Sequence, residues 1–199
     1  YKIDRIIDGE LDELIAALVG AGYRREEVVE HRGELAKALL QAIPAGAGRG
    51  GEIKLKAHEL DQVGKQGAAW AVARKYGEPG DLARIEELGC ASWAEPRHVS
   101  ADARIRGAPQ LGTLGSGNHF VEVQRVEAIL DPEAASAFGL HAGQLVVLIH
   151  TGSRGLGHQV CTDAVHTFQR AMKRYGIEVP DRQLACAPVH SEEGRAYLG

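Results

Sequence analysis

LGTLGSGNHFVEVQ (residues 111–124) and VVLIHTGSRGLGHQ (146–159) are the stretches around which the chain is organised. Each joins a glycine-rich turn to an apolar, strand-like run and sets a histidine at the junction: His119 where a strand begins, His150 where one ends. Side chains alternate along a strand. Over 118–124, His119, Val121 and Val123 therefore share one face, and Asn118, Phe120, Glu122 and Gln124 share the other. The second face offers an amide, an aromatic plane and a carboxylate in succession. A ring to stack on and a carboxylate to accept N–H donors suit a purine such as guanine; a half-buried strand with a polar outer side looks the same. Residues 145–149 are a continuous apolar run, which predicts a strand buried on both faces. Two imidazoles on neighbouring strand ends can reach one metal ion, although a lone histidine is more often structural.

After His150 come Thr-Gly-Ser-Arg-Gly-Leu-Gly and then helical spacing over 156–175, closed by Gly176. Free N–H groups at such a helix start favour an anion, and Arg154 can add a bidentate grip on a phosphate. A tight turn with no ligand fits the same letters. The stretch is not the Walker phosphate loop, which needs a Lys after its last glycine, nor the dinucleotide fingerprint. Nor is it a G-x-S-x-G nucleophile elbow, because Ser153 directly follows Gly152.

Working outward, weak alternation over 1–7 suggests a strand, and Leu11, Leu14, Ile15, Leu18 and Val19 have helical spacing. Further helices are predicted over 26–43, 59–76 and 100–106, with a short one capped by Asp81 and another opened by Asp131-Pro132. Residues 45–51 (AGAGRGG) form a loop carrying Arg49, either a connector or an approach for an anion. Residues 184–189 are a last short apolar run, and no terminal element is evident after it. Trp70 and Trp93 read as core or lid residues. Of the other histidines, His31, His58, His98, His141 and His166 read as surface residues. His158 reads as a residue supporting the ligands from behind or as a cap, and His190 is a weaker third candidate ligand. The fold class expected is α+β (mixed α/β), a single partial domain over 1–199 whose strands carry the site and whose helices surround it.

With 199 residues, 44% of them hydrophobic, the chain can bury a core. Its net charge of −4 argues against a wholly basic face, so nucleic acid would need a local positive cleft. Cys90, Cys161 and Cys186 are odd in number and never in a C-x-x-C pair. They read as buried apolar residues of a protein in a reducing compartment, the cytoplasm. No membrane span or secretory signal is evident in the letters.

The segments G-S-G-N-H-F-V-E-V-Q (115–124) and H-T-G-S-R-G-L-G-H-Q (150–159) closely resemble signature segments of the RtcB family, the tRNA-splicing and RNA-repair ligases. Weaker agreement spreads over the 44–55 loop, WAV at 70–72, G-A-P-Q-L-G at 107–112 and P-D-R-Q-L at 180–184. The resemblance implies an Mn2+-dependent enzyme that uses GTP. It joins RNA ending in a 3′-phosphate or 2′,3′-cyclic phosphate to RNA carrying a 5′-hydroxyl, the substrates being tRNA halves or broken RNA. In the family's scheme a histidine is guanylylated, GMP passes to the RNA 3′-phosphate, and the 5′-hydroxyl displaces it. Carried over by position, His119 and His150 would be Mn2+ ligands, and Asn118 would contact the nucleotide phosphate. Phe120 and Glu122 would hold the guanine, and Arg154 an RNA or nucleotide phosphate. The family's upstream Asp-x-x-Cys-Gly motif has no counterpart here, since Asp4 lacks the Cys-Gly that should follow. The downstream histidines, among them the guanylylated one, have none either, and His190 matches neither motif. The expectation is an internal segment of a longer ligase, unable to complete the reaction alone. The alternative is a non-catalytic metal- or nucleotide-binding module from a truncated paralogue. Extending the reading frame in both directions discriminates them.

Overall fold

Among the described residues helices dominate, and one antiparallel pair of strands has the two histidines at one end, His150 as the last residue of its strand and His119 just before the other, an α+β fold. The computed structural model describes residues 25–46, 51 and 53–199. The strand expected over 1–7, the helix over 11–19 and Arg49 lie outside the described residues. In order come α1 (Arg25–Glu30), α2 (Arg32–Ala42), α3 (Leu60–Gln66), α4 (Ala68–Val72), α5 (Ala101–Gly107) and β1 (Phe120–Arg125). After them come α6 (Pro132–Ala137), β2 (Leu145–His150), α7 (Arg154–Tyr175) and α8 (Glu192–Leu198). Contacts group the chain into two units, Tyr1–Gly50 with Gly112–Gly152 and Gly51–Leu111 with Ser153–Gly199. Among the described residues no helix is long and apolar enough to cross a membrane.

In the first unit β1 and β2 pair from Phe120↔His150 to Arg125↔Leu145. Val123 and Val147 are partners and so share a face; Val28, Leu35 and Leu39 pack with them around buried Ala38. The helix expected over 26–43 is two helices, because His31 (φ −99°, ψ 11°) leaves helical geometry and serves as the N-cap residue of α2. β2 is not buried on both faces: Leu148 is 45% and Ile149 54% exposed, since the helical cover reaches only the Val147 end. Asp131 caps α6 by accepting the Ala134 N–H at 3.0 Å, as its position before Pro132 predicts. The turn before β1 is tied to the end of α2, Leu114 N–H donating to the Pro44 carbonyl at 2.8 Å.

In the second unit α7 runs unbroken to Gly176, which takes the left-handed conformation (φ 64°) that ends a helix without Cβ strain. α5 crosses α7 where Gly107 faces Leu156, too close for a side chain at 107. Ser100 caps α5 by accepting the Ala103 N–H. The helix expected over 59–76 breaks at Gly67 (φ 55°, ψ −139°), where a Cβ would collide with the Gly89 carbonyl. Trp70 is 2% exposed, with the Arg74 guanidinium 4.0 Å above its ring; Trp93 is 59% exposed and is not core.

Asp81 is not a cap. Its carboxylate reaches back to the Glu78 N–H at 2.8 Å, and the segment forms 3-10 turns (Pro79–Arg84, Glu86–Gly89). Residues 184–189 form no strand, and α8 follows them, capped by Ser191. None of the three cysteines is buried: Cys161 is exposed on α7, and Cys90 and Cys186 are half-buried.

Candidate metal and nucleotide site

The turn-to-strand junctions bring the two histidines side by side. Their ring centres are 6.2 Å apart, with the planes tilted by 51°. Register explains half of this, because His150 lies opposite Phe120, the residue after His119. Strict alternation would put His119 on the other face of the sheet from His150. His119 precedes the paired region, however, and is free of the ladder's alternation, so its ring lies alongside. Its Nδ1 is buried and has no hydrogen-bond partner among the described residues. A Cβ built on Gly152 would stand 3.5 Å from its Nε2, so the glycine of the second turn lies against this imidazole.

An imidazole bound at ~2.1 Å places its ring centre ~3.2 Å from the ion, so two rings on one ion have centres within roughly 6.4 Å of each other. The observed 6.2 Å falls just inside that span, which corresponds to two imidazoles on nearly opposite sides of the ion. An orphaned buried nitrogen beside a second imidazole fits a shared divalent cation, since a buried polar atom without a partner is otherwise costly. Two imidazoles are an incomplete ligand set. Among the described residues, no three His, Cys, Asp or Glu side chains gather where they could hold an ion.

The Phe120 ring packs on His150, centre to centre 5.2 Å. Glu122 points to the same side of β1 as Phe120, is exposed, and accepts a hydrogen bond from Gln124 Nε2 at 2.6 Å. Leu148 of β2 lies opposite Glu122, so an aromatic ring, a carboxylate and an aliphatic side chain share an open sheet face. Asn118 is exposed in the bend that leads into β1.

Arg154 belongs to the second unit, where it opens α7. It is half-buried rather than on an open turn, and its φ of 53° is rare for a residue with a side chain. The next N–H, that of Gly155, is not free for an anion, because it donates to Gln110 Oε1 at 2.7 Å. A Cβ at 155 would stand 2.6 Å from that same oxygen, so a side chain there would have to push the Gln110 amide aside. Gln110 was invisible as a partner in the sequence, since its acceptor role spans 45 residues and follows no local spacing. A chain of hydrogen bonds continues along α7. Arg106 donates to Gln159 Oε1 at 2.7 Å, Gln159 donates to Asp163 at 2.9 Å, and Ser100 donates to Asp163 at 2.6 Å. The Ser100 hydroxyl, then the Gln159 amide, hold the Asp163 carboxyl below its ordinary pKa. His190 is exposed and adjoins no strand.

The sequence model of a family described as tRNA-splicing ligase RtcB matches residues 16–199. The chain is 50% identical over 181 residues to the tRNA-splicing ligase RtcB of Methanocaldococcus jannaschii, covering 91% of this chain and 19% of the relative. With the protein of that name from Archaeoglobus fulgidus it shares 52% over 165 residues, 83% of this chain and 34% of the relative. The RNA-splicing ligase RtcB of Mycobacterium bovis is 49% identical over 185 residues, 92% of this chain and 43% of the relative. The chain thus spans between about a fifth and two fifths of the length of these relatives.

Proposed function

The chain belongs to the RtcB family, and from that premise we propose that it supplies part of the metal and GTP site of an RNA ligase acting in the cytoplasm. The full-length protein would join 3′-phosphate or 2′,3′-cyclic phosphate ends to 5′-hydroxyl ends through guanylylated intermediates. Its substrates would be tRNA halves or broken RNA. The observation that carries this reading is the pair of imidazoles 6.2 Å apart, one with a buried nitrogen that no described residue satisfies.

His119 and His150 would hold Mn2+, whose role when bound is to neutralise the charge that develops on phosphate oxygens during nucleotidyl transfer. Imidazole suits Mn2+ together with oxygen ligands, and the remaining ligands would come from outside the described residues. Phe120 offers a face for a guanine ring, and Glu122 can accept the N–H donors on guanine's Watson–Crick edge once Gln124 yields its hydrogen bond. Asn118, exposed ahead of β1, would donate its amide to a nucleotide phosphate. Arg154 would pair with a phosphate oxygen of RNA or nucleotide. The guanylylated histidine is not among these residues, so this chain alone would position nucleotide and metal without completing the joining step.

The test uses the full-length protein, His119→Ala and His150→Ala, and GTP labelled in its α-phosphate. Each variant should take up no label in the presence of Mn2+ while keeping the parent's circular dichroism spectrum. Normal labelling in both would remove the two histidines from the metal site.

A further inference from the structure

The second unit contains a hollow of about 600 Å³ between the C-terminal half of α7 and the segment that turns back after Gly176. His166, Gln169, Arg170 and Lys173 line one wall; their spacing of three and four residues puts them on a single helix stripe. Arg182 lines the other wall, and Glu178 is the one carboxylate among the lining residues. Arg170, Lys173 and Arg182 are exposed, and none is in an ion pair among the described residues. Asp181, next to Arg182, is already engaged by the Gln183 N–H at 2.9 Å. The helix dipole accounts for Lys173 and Arg174 in the last turn of α7. It does not account for Arg170 and His166 further back, or for Arg182 beyond the helix.

Three permanent cations facing one carboxylate, in a protein of net charge −4, make a local positive cleft of the kind a polyanion needs. A bilayer is flat and would not enter a hollow, whereas a strand of phosphodiesters can lie along a helix stripe whose charges recur every turn. We propose that this cleft binds the phosphate backbone of the RNA, holding the strand by charge and without reading its sequence. The proposal rests on the RNA-ligase reading above, which supplies RNA as the polyanion.

The test is fluorescence anisotropy of the full-length protein with a dye-labelled 12-nucleotide single-stranded RNA ending in a 3′-phosphate, over a range of salt. In Arg170→Gln/Lys173→Gln/Arg182→Gln the apparent Kd should rise at least tenfold at low salt. The slope of log K against log salt should fall by about 2, three contacts at roughly 0.7 each. Guanylylation from GTP should not change, since none of the three residues belongs to the nucleotide site. Arg170→Lys/Arg182→Lys should keep the parent's salt slope and most of its affinity, because counterion release counts the charges that neutralise phosphates and both residues supply one. Unchanged affinity and slope in the triple Gln variant overturn the cleft assignment but leave the ligase reading standing. A Lys variant as weak as the Gln variant overturns it too, by pointing to local structure. Weakened binding of poly-glutamate with unaltered RNA binding reassigns the cleft to an acidic protein. A parent protein that binds no RNA at all removes both this proposal and the reading beneath it.

Discussion

Glu122 tests base recognition separately from metal binding. It is exposed on the Phe120 side of β1, where it accepts a hydrogen bond from Gln124. A carboxylate accepting N–H donors from guanine contributes about 1.5 kcal/mol at such an open position, the low end for a charged acceptor. Glu122→Gln in the full-length protein should therefore raise KM for GTP about tenfold, with little change in kcat at saturation, and should narrow the preference for GTP over ATP. Competition assays of guanylylation against adenylylation read this directly; an unchanged preference would mean that Glu122 is only a polar residue on an open strand. The types of residue and their order along 118–122 were legible in the sequence. The Gln110 contact to the Gly155 N–H was not, because Gln110 lies 45 residues earlier in the chain, and no local spacing announced the left-handed backbone of Arg154.

At the scale of elements, the joint between α5 and α7 is held by side chains that do two things at once. Ser100 caps α5 through the Ala103 N–H and also donates to Asp163 on α7. Ser100→Ala should cost about 1 kcal/mol for the cap alone, with a further loss from the Asp163 bond. Thermal melting of the full-length protein measures it. The sign of the pH effect follows from the lowered pKa of Asp163. Its contribution is present above the ordinary carboxylate pKa of about 3.9 and is lost as pH falls through the lower folded value. Ser100→Ala should therefore flatten stability against pH below about 4; an equally steep fall would detach Asp163 from Ser100. The spacing puts Ser100 inside the helix, and the structure makes it the cap; the cap at Asp131 was readable from the letters because its bond is local. The breaks at His31 and Gly67 were not, because helical spacing continues across both. At Gly67 the backbone answers to Gly89, a contact that no periodicity encodes.

At the scale of the molecule, metal binding should register as stability. A ligand present at 100 times its Kd stabilises by about 2.7 kcal/mol. Saturating Mn2+ should therefore raise the Tm of the full-length protein by several degrees, and His119→Ala or His150→Ala should remove most of that rise. A shift that survives both substitutions would place the cation elsewhere. The exposed Leu148 and Ile149 show why the expectation of a doubly buried strand failed. An apolar run specifies a strand, but the number of layers packed on it is a property of the whole fold. The cysteines failed in the same way, since an apolar side chain in the sequence carries no address within the structure. By itself the sequence determined the local elements whose bonds close within a few residues, the identity of the groups at the two glycine turns, and membership of the family. Only the tertiary structure decided that His119 escapes strand alternation to lie beside His150, that Gln110 occupies the amide at the start of α7, and that scattered cations share one hollow. Each of these joins atoms far apart in the chain, where spacing along the sequence no longer constrains position in space.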